Sequence, residues 1–174
     1  FYQINHDQTE VLYGLAVDAA HLTGNEVVLD AYCGIGTIGL TASGRAGQLS
    51  GVELNRDAVR DAIGNAKHNG VKNARFYAAD ATRWITEAAA AGQKADVIFM
   101  DPPREGSTPA FLDSVARMAP HRVVYVSCNP ETLARDLAHL TRKGYRVEQS
   151  TPVDLFPQTA HCEVVCSLIR CDCT

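Results

Sequence analysis

The chain has no C-x-x-C pair, no low-complexity tract and little aromatic content, with one tryptophan and two methionines. Each shortage removes a class. The six cysteines, at 33, 128, 162, 166, 171 and 173, lack the paired spacing of a zinc knuckle. A disulfide framework belongs to small secreted chains, so most of these thiols read as small hydrophobes and no bound metal is expected. No apolar run approaches the ~20 residues of a membrane span, and no charged-then-apolar signal opens the chain. A cytoplasmic location is expected, with no membrane partner. Basic charge is short as well: 16 Lys+Arg against 20 Asp+Glu give a net charge of −4. A domain that gripped a long nucleic acid alone would usually be basic. The ligand is therefore small, or a nucleic-acid partner is held largely by something outside this chain.

What is present describes one α/β domain. The length of 174 residues and 46% hydrophobic content suffice for an ordinary core. Apolar runs of strand length are expected at 27–31, 48–53, 74–78, 97–100, 123–127, 145–150 and 162–169. Helical periods fill the gaps, at 7–22, 37–45, 56–69, 81–91, 108–118 and 130–142. Near-continuous apolar strands fit a parallel sheet covered on both faces, and the alternation predicts a doubly wound fold. Only residues 151–161 separate the last two strands, too few for a helical crossover, so these should form an antiparallel edge. Ligands bind past the carboxyl ends of the strands in such sheets.

Those ends are informative. The first strand runs into Asp30-Ala-Tyr32-Cys-Gly34-Ile-Gly36-Thr37-Ile-Gly39, whose glycines allow close backbone approach to a ligand at a helix start. Glu53 ends the second strand, placed to accept from ribose hydroxyls. A tight turn with an exposed glutamate would look the same. Asp80 follows the third strand and could accept from an adenine amino group; Asp101-Pro102-Pro103-Arg104 follows the fourth as a stiff turn. Singly, Asp30 or Asp80 also reads as a helix cap or solvated loop end. Together, four acids in register would repel a pyrophosphate cofactor such as NAD. They would suit a nucleoside with a cationic amino-acid end, which favours S-adenosyl-L-methionine.

The fifth strand ends Ser127-Cys128-Asn129-Pro130-Glu131, with Asn129 as helix cap and Pro130 as first helical residue. Cys128 then stands just ahead of a helix N-terminus, where the dipole favours thiolate. Nucleophile and buried turn thiol are both open readings on spacing alone. Period two places His161 and Glu163 on one face of the last strand. An ionised glutamate opening an apolar strand needs a partner or a task; His161 reads more readily as a hydrogen-bonded structural residue.

Taken together, Phe1-Tyr-Gln3-Ile-Asn5, the glycine loop, Gly51-Val-Glu53, Asp101-Pro-Pro-Arg104, Tyr125-Val-Ser-Cys128-Asn-Pro130 and Phe156-Pro-Gln-Thr-Ala-His161-Cys-Glu163 resemble the S-adenosylmethionine-dependent RNA (uracil-5-)-methyltransferases. The resemblance covers essentially the whole chain. It implies a Rossmann-like class I methyltransferase fold, a seven-stranded mostly parallel sheet with an antiparallel last strand. It also implies that Cys128 is the nucleophile and Glu163 the general base, and that Gln3, Tyr32, Gly34, Gly36, Thr37, Glu53, Asp80 and Asp101 line the cofactor site. Asp101 or Gln3 would orient the uracil edge. The implied partner is RNA, with 23S ribosomal RNA favoured by the Cys-Gly-Ile-Gly-Thr form of the loop and transfer RNA as the alternative. The chain is expected to act as a monomer and as the single catalytic domain, residues 1–174, of a longer protein with N-terminal RNA-binding domains. Three rivals remain. An amino-group methyltransferase would carry an aromatic residue where this chain has Arg104; an NAD-linked oxidoreductase would rest on the glycine pattern alone; an RNA-binding module without turnover would not need Cys128 and Glu163.

Overall fold

A computed structural model describes residues 5–171. The described residues open with helix α1 (His6–Ala19), after which strands and helices alternate as far as the final pair of strands. The elements are β1 (Val27–Ala31), α2 (Thr37–Ala42), β2 (Gln48–Glu53), α3 (Arg56–His68), β3 (Ala74–Ala78), α4 (Ala81–Ala90) and β4 (Val97–Met100). Next come α5 (Pro109–Met118), β5 (Arg122–Ser127), α6 (Pro130–Arg142), β6 (Tyr145–Val153) and β7 (Glu163–Arg170). Among the described residues these strands form one seven-stranded sheet in the order β3-β2-β1-β4-β5-β7-β6.

Strands β1 to β5 are mutually parallel, as their apolar runs require: every residue of β4 and β5 is buried. One layer of core lies beneath α4, α5 and α6 and includes Ile85, Ile98, Phe111 and Tyr125; the other lies beneath α1 and α2 and includes Leu12, Ile38, Leu49 and Phe99. The antiparallel pair β6–β7 forms one edge of the sheet, as the sequence implies, with β7 on its inner side. It inserts between β5 and β6, antiparallel to both. Burial explains the order: the run Val164, Val165, Cys166 is buried, whereas β6 exposes Arg146, Val147, Glu148 and Gln149. The polar strand takes the edge, where its charges and a bulge between Val147 and Gln149 discourage further pairing. Helix α2 is shorter than its sequence pattern, passing into a 3₁₀ turn at Ser43–Arg45.

The strand order reverses between β1 and β4, so their carboxyl ends diverge and leave a crevice. Helices α3 to α6 all begin at that end of the sheet, and each has a side-chain cap: Asn55, Asp80, Thr108 and Asn129.

Candidate active site

Between β1 and α2 the backbone alternates through left-handed conformations, with φ of 64° at Tyr32, 53° at Gly34 and 85° at Gly36. Such alternation curls the chain so that successive N–H groups converge. Glu53 fastens the curl: its Oε2 accepts from the Gly34 N–H at 3.1 Å and its Oε1 from the Asn55 N–H at 2.8 Å. A Cβ built on Gly34 meets nothing within 4 Å, so this glycine leaves an open cradle. Gly36 differs. Its Cβ would stand 3.0 Å from the Phe76 ring, so it serves close packing and does not line the cleft. Tyr32, a non-glycine residue held at positive φ, leans on Phe111 with ring centroids 5.2 Å apart. Such strain persists only where surroundings over-determine it, and it clusters at functional sites.

Asp30 lies beneath this loop, 1% exposed, and its Oδ2 accepts the Gly39 N–H at 2.9 Å. Burial pushes its carboxyl up to about 7. It braces α2. Asp80 caps α4, accepting from the Arg83 N–H at 2.8 Å, so the cap role that its position allowed is present.

The second group of residues comes from β4, β5 and β7. Asp101 follows β4, where burial and the Glu163 carboxylate push it up to about 8. Cys128 follows β5. Asn129 caps α6 through the Glu131 N–H (3.1 Å), with Pro130 opening the helix as its sequence suggests. The dipole does not set the thiol's titration. Burial, with the Glu163 and Asp101 carboxylates, pushes Cys128 up, and Arg104 opposes them. Short-range charges in a desolvated pocket outweigh a helix terminus. Glu163 opens β7 at 6% exposure; burial raises it and Arg104 again lowers it. His161 is exposed and stands edge-on to Phe156 at 6.3 Å.

One open cleft of about 1820 Å³ joins these groups. Tyr32, Gly34, Thr37, Glu53 and Asp80 line it on the β1–β3 side; Asp101, Arg104, Cys128, His161 and Glu163 line it on the β4–β7 side. A pocket for one small ligand usually measures about 300–1,000 Å³, so there is room for more than one ligand. Gln3 lies outside the described residues. Among the described residues no cluster of His, Cys, Asp and Glu could hold a metal ion, and no helix is long and apolar enough to cross a membrane.

Comparison with known proteins now decides the family. Residues 1–171 match the tRNA (uracil-5-)-methyltransferase family. The chain belongs to that family. An uncharacterised RNA methyltransferase of Enterococcus faecalis is 49% identical over 170 residues, which are 98% of this chain and 37% of that protein. One from Halalkalibacterium halodurans is 50% identical over 168 residues, 97% of this chain and again 37% of the relative. The chain thus spans little more than a third of these relatives. The crystal structure of the Pyrococcus abyssi tRNA (uracil-54, C5)-methyltransferase with S-adenosyl-L-homocysteine superposes with a TM-score of 0.80 at 33% identity, covering 97% of this chain and 40% of that one.

In this family member the sequence pattern located the cleft but undervalued Arg104. That residue entered only as a non-aromatic neighbour of the two prolines. It is the charge that opposes the carboxylates at both Cys128 and Glu163. An arginine closing a rigid Asp-Pro-Pro turn at a strand end was the available signal. Asn129 was legible as a cap, but not its second bond, from Nδ2 to the Arg104 carbonyl at 3.0 Å.

Proposed function

We propose that this domain transfers a methyl group from S-adenosyl-L-methionine to carbon 5 of a uridine in RNA through a covalent Cys128 adduct. The observation that carries the reading is the pairing of Cys128 with Glu163 in one cleft, brought there by adjacent antiparallel strands. Family membership and the relatives' names support the substrate class. The cofactor's fit rests on the chain itself: the open cradle at Gly34, the carboxylates of Glu53 and Asp80, and a cleft wider than one ligand needs. Gly34, Tyr32, Thr37, Glu53, Asp80 and Asp101 would hold it. When bound it supplies a methyl group activated by a cationic sulfur.

Carbon 5 of uracil is a weak nucleophile. Addition of the Cys128 sulfur to carbon 6 opens the C5=C6 bond and concentrates electron density on carbon 5. Because the thiol is pushed up, its proton must leave as the S–C6 bond forms, passing to solvent in the open cleft so that Glu163 stays unprotonated for the later step. Glu163 later removes the proton from carbon 5, the double bond re-forms and Cys128 departs. Burial raises Glu163, which makes it a better base for that task. A base within structured RNA reaches the cleft by flipping out.

The RNA is 23S ribosomal RNA on this reading, from the Cys33-Gly34-Ile35-Gly36-Thr37 loop. Transfer RNA is the second reading, and the likeness to the Pyrococcus abyssi enzyme favours it. The test mixes the full-length protein with S-adenosyl-L-methionine and 5-fluorouridine-substituted RNA of each kind. Fluorine cannot leave as a proton, so a methylated covalent adduct accumulates and is read by intact mass. An adduct with one RNA that vanishes in Cys128→Ala supports the mechanism and selects the substrate. No adduct with either RNA overturns it.

A further inference from the structure

Asp136 sits in the middle of α6, 1% exposed, and does not line the cleft. Burying a carboxylate is costly unless its oxygens are fully used, and here they are. Oδ2 accepts from the Ser107 N–H (2.7 Å) and from the Tyr125 hydroxyl (2.8 Å), and Oδ1 accepts from Arg135 Nε (2.9 Å). Arg135 then donates from Nη2 to the carbonyls of Glu105 (2.8 Å) and Ser107 (3.2 Å).

The same helix grips the loop at its start. Asn129 Nδ2 and Thr132 Oγ1 both donate to the Arg104 carbonyl, each at 3.0 Å. Positions 129, 132 and 136 recur at the spacing of one helix face. Gly106 shows how closely the loop lies on that face. It has φ of +75°, and a Cβ there would stand 2.5 Å from Arg135 Nη2 and 2.7 Å from Asp136 Oδ2. The loop so fastened is the one that carries Asp101 and Arg104, and the helix that fastens it begins two residues after Cys128.

We propose that Asp136 is a positioning residue. Through Ser107 and Arg135 it fixes the loop after β4 onto α6, so that Asp101, Arg104 and Cys128 are held as one rigid unit. The inference rests on the methyl-transfer reading above. A catalytic constellation is only as accurate as the shell that holds it, and misplacing a reacting group by about 1 Å costs about a hundredfold in rate.

The test uses the full-length protein and two independent disruptions. Asp136→Asn keeps the side chain's shape, but its single carbonyl oxygen cannot serve Ser107, Tyr125 and Arg135 together. Gly106→Ala lifts the loop from the other side and leaves α6 unchanged. Three readouts are taken: the rate of 5-fluorouridine adduct formation, the KM for S-adenosyl-L-methionine, and the pH dependence of Cys128 alkylation by iodoacetamide, followed by peptide mass. Both variants should form adduct about a hundredfold more slowly and move the midpoint of the alkylation profile, with the cofactor KM rising by far less than the adduct rate falls. Wild-type adduct rates and an unmoved profile in both would overturn the proposal. Should the wild-type protein form no adduct, the methyl-transfer reading fails and the alkylation profile alone decides on Asp136: a moved midpoint supports it, an unmoved one overturns it. Should Asp136→Asn fail to fold, Gly106→Ala decides by the same measurements.

Discussion

Cys128 and Glu163 occupy the next rung of the β5–β7 ladder, one position past the Ser127–Val164 pair that closes it. Opposed residues in an antiparallel pair stand about 4.5–5.5 Å apart at Cα and project to the same face. A thiol at the end of one strand and a carboxylate at the start of the next thus meet because β7 runs antiparallel beside β5. A parallel β7 in the same slot would present its other end to the cleft.

Cys128→Ala should abolish methyl transfer while leaving cofactor affinity within about twofold of wild type, well under the 1.4 kcal/mol of a tenfold change. Cofactor binding by calorimetry, beside turnover, checks this. Parallel loss of both would make the thiol structural.

Glu163→Gln should let the covalent RNA adduct accumulate with unmodified RNA, because the carbon 5 proton is no longer removed. It should also shift Cys128 alkylation to lower pH. After burial, the Glu163 carboxylate does most to raise that thiol, so neutralising it stabilises the thiolate. A profile that moves to higher pH would contradict the arrangement of charges described here.

The sheet was legible because its central strands β1, β4 and β5 are continuous buried apolar runs; four of the seven strands have the boundaries their sequence implies. The order of β6 and β7 within that antiparallel edge was open, since pairing alone lets either strand face outward. Asp30 and Asp80 both line the cleft, but strand-end position alone cannot distinguish a bond to a ligand from a bond to the next helix. Both support helices, Asp30 through Gly39 and Asp80 through Arg83. The titration of Cys128 was misjudged for a related reason: a helix start is visible in sequence, while two carboxylates arriving from β4 and β7 are not. The Asp136 network was invisible altogether, because it joins a helix face to a loop about 30 residues earlier (|i−j| of 29 from Ser107).

Stability without cofactor should fall as pH rises from about 5 to 8. Asp101 is pushed up to about 8 from an ordinary 3.8. Across that window the folded state holds a proton that the unfolded state has released, so raising the pH favours unfolding. Each such proton contributes a slope of about 1.4 kcal/mol per pH unit. Asp101→Asn should flatten the pH dependence of the melting temperature, and an unchanged slope would place the carboxyl in ordinary solvent.

Two glycines, Gly34 in the β1–α2 loop and Gly39 in α2, should fail in different ways. A Cβ at Gly39 would stand 2.7 Å from Asp30 Oδ2 and 3.0 Å from Leu49, so Gly39→Ala should cost about 1–3 kcal/mol of stability. Gly34→Ala meets no atom within 4 Å and should cost only the strain of its left-handed backbone, about 1–2 kcal/mol. It fills the cradle instead, and should weaken cofactor binding by about tenfold or more. Melting curves and cofactor titration on both variants separate the two.

Arg104→Met should act on Cys128 in the direction opposite to Glu163→Gln. The guanidinium is the charge that lowers the thiol's titration, and it lowers Glu163 as well. Removing it leaves the cysteine beside two carboxylates with nothing to balance them, so alkylation should move to higher pH. Methionine keeps the length and apolar stem of arginine, which limits the change to charge and hydrogen bonding. The Arg104 carbonyl, held by Asn129 and Thr132, is main chain and survives the substitution. Paired pH profiles of Cys128 alkylation in the two variants are therefore a signed test of one electrostatic cluster. Shifts of the same sign would mean that the two side chains do not act on a common thiol.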